Sequence, residues 1–94
     1  EDQEKQITET LELGLTVGCV IRDARKKSKL KVKVIAEELK ISMKYLDGIE
    51  NDDYSNFPGD AYMTGFVKNY ANYLDLDGDE LANQLIKEQF SKSL

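Results

Sequence analysis

The fold is decided by residues 30–50, LKVKVIAEELKISMKYLDGIE. Apolar side chains recur at helical spacing over residues 32–39 and again over 43–50, which is typical of two short amphipathic helices. Between them, Ile41 is placed to fill a tight turn and Ser42 to cap the second helix. Two short helices joined in this way predict a helix-turn-helix.

Three further helices are predicted around this motif. Residues 16–27 precede it, and residues 60–74 and 78–90 follow it, each with an apolar stripe at helical spacing. On the fourth helix the expected core residues are Met63, Val67, Tyr70, Ala71 and Leu74. On the fifth helix they are Leu81, Leu85 and Ile86. The sequence therefore predicts an all-α fold, a five-helix bundle of the lambda-repressor-like type that contains the helix-turn-helix.

Polar residues indicate where these helices begin. Residues suited to an N-cap precede the first, fourth and fifth helices, namely Thr16, Asp60 and Asp77. The second helix lacks such a residue, because Lys31 stands at its start and Lys33 adds a cation to its first turn, against the helix dipole. We expect that turn to be weaker by about 1 kcal/mol from the missing cap alone.

Length and composition describe a single globular domain. The chain has 94 residues, of which 40% are hydrophobic and 33% charged, and no apolar run approaches the length of a membrane span. We expect the domain to cover residues 13–90, after a flexible acidic lead-in over residues 1–12. Residues 91–94 are expected to be a tail that leads toward a juxtamembrane or transmembrane region.

The sequence shows no pattern typical of a catalytic or metal-binding site. The sequence has no histidine and one cysteine, Cys19, so it has neither a disulfide framework nor the soft ligands of a zinc site. A lone thiol fits a reducing cytoplasm. The carboxylate pairs Glu37–Glu38 and Asp52–Asp53 are expected to be solvated. We therefore expect no enzyme activity, no cofactor, no metal ion and no small-molecule ligand.

Charge is distributed unevenly along the chain. Residues 22–44 carry a net charge of +6, whereas residues 1–21 carry −4 and residues 45–94 carry −7. A solvated face, an anionic membrane surface and non-specific contact with phosphates are three interpretations of this basic block. The candidate contacts with an anionic surface are Arg25, Lys26, Lys27, Lys29, Lys31 and Lys33.

The flanking segments carry a family resemblance. Residues 17–25 read VGCVIRDAR, and residues 57–81 read FPGDAYMTGFVKNYANYLDLDGDEL. With the helix-turn-helix, they make residues 13–86 resemble the cytoplasmic N-terminal domain of the RodZ family of bacterial cell-shape proteins. The second half is the specific part, since repressors of the helix-turn-helix type usually lack the helix that follows the Pro-Gly pair. Where the family usually has glycine and serine before the second helix, this chain has Lys29 and Lys31.

The resemblance implies a cytoskeletal adaptor. It implies a domain at the N-terminus of a single-pass membrane protein, on the cytoplasmic face of the bacterial inner membrane. Such a domain binds the actin-like filament protein MreB and links it to the membrane in support of cell shape. The family's filament contact corresponds here to Tyr62 and Phe66 on the fourth helix.

The residues themselves allow two kinds of partner. A second stripe on the fourth helix, about 100° round from the core stripe, offers aromatic anchors of the kind found in protein interfaces. These candidate partner-binding residues are Tyr62, Phe66, Asn69 and Tyr73. The alternative function is a DNA-binding transcriptional regulator, with base edges read by Ser42, Met43 and Lys44. DNA binding is disfavoured because that helix carries a single cation and the second half of the domain is acidic.

Overall fold

The computed structural model describes residues 15–93, and the side chains of residues 15–89. Five α-helices make up this part of the chain, and no β-strand occurs in it. In chain order they are α1 Val17–Lys27, α2 Val32–Leu39, α3 Met43–Glu50, α4 Asp60–Tyr73 and α5 Gly78–Ser93. The predicted all-α fold with five helices is confirmed for these residues. The predicted lead-in over residues 1–12 lies outside them.

The helix-turn-helix is formed by α2 and α3, as predicted. Lys40 closes α2 in the left-handed conformation with φ of 57°, and the Ile41 N–H donates to the Ala36 carbonyl at 3.1 Å. Ile41 is only 8% exposed, which confirms that it fills the turn. Helix α1 packs against α3 at Gly18, where an added Cβ would lie 2.3 Å from the Ile49 carbonyl oxygen. Only glycine permits this close approach of the two helices.

All five helices contribute to the core. The predicted stripe of α4 is buried throughout, with exposures between 0% and 8%. On α5, Leu81 and Leu85 are fully buried, but Ile86 is 54% exposed, so its predicted inward position is wrong. The reason is that α5 is covered mainly by α4 and α1, which leaves the face next to the Leu81–Leu85 stripe open.

Two predicted helix caps are confirmed. Thr16 Oγ1 accepts from the Cys19 N–H at 3.2 Å at the start of α1, and Asp77 Oδ1 accepts from the Glu80 N–H at 3.0 Å at the start of α5. Thr16 in turn donates its hydroxyl to Asp52 Oδ2 at 2.7 Å. Asp52 is therefore half-buried and bonded to the first turn of α1, which corrects the expectation that its carboxylate is simply solvated.

Two other caps differ from the prediction. Ser42 occupies the N-cap position of α3, but its side chain makes no capping hydrogen bond. Asp60 lies in the first turn of α4 because Gly59 is the N-cap, and there its negative charge is favoured by the helix dipole. Helix α5 continues to Ser93, one turn beyond the predicted end at residue 90. As expected, Lys31 begins α2 without a side-chain hydrogen bond.

Candidate functional site

Aromatic side chains from α3, α4 and the loop between them form one continuous group. This aromatic cluster consists of Tyr45, Tyr54, Phe57, Tyr62 and Phe66. Ring centroids are separated by 4.9 Å between Tyr45 and Phe57 and by 6.0 Å between Tyr62 and Phe66, which is the range of favourable aromatic pairs. Four of the rings are partly buried, whereas Tyr62 is 55% exposed. Tyr62 is thus the exposed end of a packed group of rings.

The predicted partner-binding stripe of α4 is only partly exposed. Tyr62 and Asn69 are exposed, as expected. Phe66 is partly buried instead, with its ring centroid 5.4 Å from that of Tyr45 and 5.9 Å from that of Phe57. This corrects the expectation that Phe66 points freely outward. Its ring supports Tyr62 from the side of the core.

The last residue of that stripe, Tyr73, connects two helices. It is partly buried, and its hydroxyl donates to Glu38 Oε2 on α2 at 3.1 Å. Desolvation and the neighbouring carboxylate raise the pKa of Tyr73. Because this hydroxyl already has a partner within the domain, Tyr73 serves first to hold α4 against α2.

The outer face of α3 carries the three candidate DNA-reading residues. These residues are Ser42, Met43 and Lys44, and the side chains of all three are exposed. Lys44 Nζ lies 5.0 Å from the centre of the Tyr45 ring, a cation–π distance. A shallow cavity of about 260 Å³ beside it is lined in part by Asp47 and Asp53. Lys44 is therefore accompanied by carboxylates at this place on the surface.

The six candidate anionic-surface residues separate into an exposed group and one internal residue. Five of these side chains are exposed. Together they form what we call the lysine patch, which consists of Lys26, Lys27, Lys29, Lys31 and Lys33. Arg25 is different, because its side chain is 16% exposed and its guanidinium is bonded to Glu50. The structure therefore removes Arg25 from the surface that was predicted to meet an anionic partner.

The bonds around Glu50 form a polar network that sequence reasoning missed. Glu50 is 5% exposed and accepts from Arg25 Nε at 2.6 Å and from Arg25 Nη2 at 2.9 Å. The Tyr70 hydroxyl donates to the same carboxylate. Arg25 Nη1 also donates to the Leu30 carbonyl at 3.0 Å, and Arg22 Nη2 donates to the Glu50 carbonyl at 2.6 Å. One carboxylate thus joins α1, α3 and α4.

The electrostatics of this network keep Glu50 ionised. Burial by itself would raise the pKa of Glu50, but the hydrogen bonds from Arg25 and Tyr70 and the nearby arginine charges outweigh it and lower the pKa. Burial and the Glu50 carboxylate raise the pKa of Tyr70, so its hydroxyl stays protonated. A sequence signal existed, since a tyrosine within a core stripe needs a partner for its hydroxyl.

The described part of the chain offers no metal site and no membrane span. Among its side chains, no group of three or more histidine, cysteine, aspartate or glutamate residues is arranged to hold a metal ion. Within that same part, none of the helices has both the length and the apolar character needed to cross a bilayer. Tyr62 and the five lysines of the lysine patch are exposed in this part of the chain.

Comparisons with known proteins agree with this architecture. A family model described as "Helix-turn-helix domain" matches residues 20–81. A stretch of 49 residues is 37% identical to the "Uncharacterized membrane protein YmfM" of Bacillus subtilis (strain 168), and it covers 52% of this chain and 17% of that relative. No solved structure gives a significant match. Since the family model spans most of the chain, this protein belongs to the helix-turn-helix domain family.

Proposed function

We propose that this domain is a non-enzymatic adaptor that binds a filament of the actin-like protein MreB. In this role it links the filament to the cytoplasmic face of the bacterial inner membrane and supports cell shape. The observation that carries the proposal is Tyr62, which is 55% exposed while the ring of Phe66 supports it from within the domain. A large aromatic side chain held in place by its neighbours is a typical anchor of a protein interface.

The similarity to other proteins supports the same proposal. The sequence resembles the RodZ family over most of its length, and the resemblance is strongest around α4. The relative from Bacillus subtilis is itself described as a membrane protein. An adaptor needs no cofactor, and a binding role without catalysis is part of the proposal.

Binding of DNA is the competing function, because helix-turn-helix domains often read DNA. The basic start of α2 would favour it. Against it stands the outer face of α3, where Lys44 is accompanied by exposed Asp47 and Asp53. Recognition helices make most base contacts with arginine, asparagine or glutamine, and residues 42–50 contain none of these.

The test is co-pelleting of the 94-residue chain with MreB filaments from the same organism. Tyr62→Ala should weaken binding by about 30-fold, since an anchor of this kind contributes about 2 kcal/mol. Val34→Ala is the matched control, because Val34 is also an exposed apolar side chain, 43% exposed, but lies on α2. Unchanged pelleting of a folded Tyr62→Ala variant would show that this face does not bind the filament.

The competing function has its own measurement. A DNA-binding domain should bind duplex DNA at low ionic strength, with an affinity that falls steeply as salt is added. We expect no such binding beyond weak attraction to the lysine patch. Salt-sensitive binding that is lost in Lys44→Ala would support DNA recognition through α3 and count against the adaptor.

A further inference from the structure

The lysine patch concentrates positive charge on one short segment. Residues 26–33 read KKSKLKVK, five lysines in eight residues with no acidic residue among them. All five side chains are exposed. Among the described residues, the cations that form ion pairs are Arg22, Arg25 and Lys68. In this part of the chain, no lysine of the patch therefore forms an ion pair with a neighbouring carboxylate.

Stability of the fold does not account for three of these five lysines. Lys29 has φ of 58°, a left-handed conformation that glycine or asparagine adopts at lower cost. Lys31 is the N-cap of α2 but makes no capping hydrogen bond. Lys33 places a positive charge in the first turn, where the helix dipole disfavours it. Three of the five lysines therefore stand where another residue would stabilise the domain better.

The surroundings of the patch favour a membrane over a nucleic acid. Val34, 43% exposed, lies next to Lys33 and offers an apolar side chain to the interfacial region of a bilayer. Helix α3, which would read bases in the competing function, presents the exposed carboxylate of Asp47. Residues 45–94 carry a net charge of −7, so an anionic surface would repel that half and attract the patch.

We propose that the lysine patch docks the domain onto an anionic lipid bilayer. The five ammonium groups contact lipid phosphates, and the positive end of the α2 dipole adds to their potential. The rest of the domain, including Tyr62, is left to bind another partner. This docking does not depend on the proposed filament contact, because it uses α1, α2 and the loop between them.

The test is sedimentation of the 94-residue chain with lipid vesicles. Vesicles of phosphatidylglycerol mixed with phosphatidylcholine are compared with vesicles of phosphatidylcholine alone. The chain, although negative overall at −5, should bind the anionic vesicles and not the neutral ones. Binding should fall as salt rises from ~0.05 M to ~0.5 M, since the contact is electrostatic. Absence of binding to anionic vesicles, or equal binding to both kinds, would overturn the proposal.

Two double variants that remove the same charge distinguish an effect of the lysine patch from an effect of the net charge of the chain. Lys29→Gln with Lys31→Gln should weaken partitioning by about 25-fold, since each lysine near an anionic surface contributes about fivefold. The control is Lys40→Gln with Lys87→Gln, which removes the same charge from exposed positions outside the patch. Lys40 has φ of 57°, so the control also changes a left-handed lysine. Equal losses in the two pairs would contradict docking through the patch.

Two further measurements complete the test. Circular dichroism and thermal melting should show that both double variants remain folded, because all four side chains are exposed. Tyr62→Ala should bind anionic vesicles as the unchanged chain does, so failure of the filament contact is distinguishable from failure of docking. If Lys29→Gln with Lys31→Gln leaves vesicle binding intact and abolishes binding to duplex DNA, the patch serves a nucleic acid and the proposal is wrong.

Discussion

Helix α4 carries two tyrosines, Tyr62 and Tyr70, one in an exposed environment and the other in a buried one. They lie eight positions apart on α4, about 12 Å along the helix axis. Tyr70 is fully buried and donates its hydroxyl to Glu50, whereas Tyr62 is 55% exposed and meets only the edge of the aromatic cluster. Tyr70 bonds α4 to the carboxylate that joins three helices, and Tyr62 presents its ring to the outside.

The difference shows that one half of α4 holds the fold and the other half carries an exposed ring, at which we propose that a partner binds. At Tyr70 the hydroxyl, the Glu50 carboxylate and the Arg25 guanidinium satisfy one another in the interior, so each depends on the others. At Tyr62 more than half of the side chain is still exposed, so a partner that covers it would gain the free energy of burying that surface. Substitutions at the two positions should therefore separate stability from binding.

The largest effect is expected at the centre of the network. Glu50→Ala should lower the free energy of unfolding by about 3–5 kcal/mol, because it leaves the guanidinium of Arg25 buried without its partner. Chemical denaturation followed by circular dichroism measures this loss. Asp47→Ala removes an exposed carboxylate from the same helix and should change stability by no more than about 0.5 kcal/mol. A similar cost for both variants would mean that the network does not stabilise the fold.

Removal of the hydroxyl group from each tyrosine in turn tests the comparison between Tyr62 and Tyr70. Tyr70→Phe keeps the buried ring but removes its hydroxyl, and should cost about 1.5–3 kcal/mol, the contribution of a hydrogen bond to a charged group. Tyr62→Phe should leave the free energy of unfolding unchanged. Equal effects from the two substitutions would erase the distinction between the halves of α4. Combined with Glu50→Ala, Tyr70→Phe should cost less than it does alone, because its partner is already absent.

The pH dependence of stability gives a smaller effect of the same origin. The pKa of Glu50 is lower in the fold than its ordinary value, so its stabilising contribution is present above that ordinary value. The contribution is lost as the pH falls through the lowered pKa of the folded state. The difference in Tm between the unchanged chain and Glu50→Gln should therefore narrow as the solution is acidified. A constant difference across the acid range would argue against an ionised Glu50.

The smallest change in stability is expected at Tyr62. Tyr62→Ala should lower the free energy of unfolding by about 0.5–1 kcal/mol, since it removes one aromatic pair from a side chain that is more exposed than buried. The same variant should lose most of the proposed filament binding. A large loss of stability would show instead that Tyr62 belongs to the core of the aromatic cluster and is not held ready for a partner.

The helices and their inward faces followed well from local sequence patterns. The helix-turn-helix, the Ile41 plug and the whole core stripe of α4 were predicted and confirmed. The exposed position of Ile86 does not follow from such patterns, because it depends on which neighbouring helices cover α5. The capping role expected of Ser42 also fails, since a suitable residue at the N-cap position does not fix the direction of its side chain.

The sites were less predictable than the helices. Exposure of Tyr62 and of the lysine patch followed from their place on the helices and in the loop. Helical spacing places Phe66 on the outer stripe, but Tyr45 and Phe57, from other parts of the chain, cover it. The local sequence likewise groups Arg25 with the exposed cations, because its partner Glu50 is 25 residues away.

The sequence by itself determined the helical class, the helix-turn-helix and the uneven charge, because these depend on spacing and composition along a few turns of chain. Only the tertiary structure decided which polar groups meet. Glu50 is 25 residues from Arg25 and 20 from Tyr70, so their pairing depends on how α1, α3 and α4 pack. The same packing buries Tyr70 and leaves Tyr62 exposed, and it thereby separates the part of α4 that holds the fold from the part available to a partner.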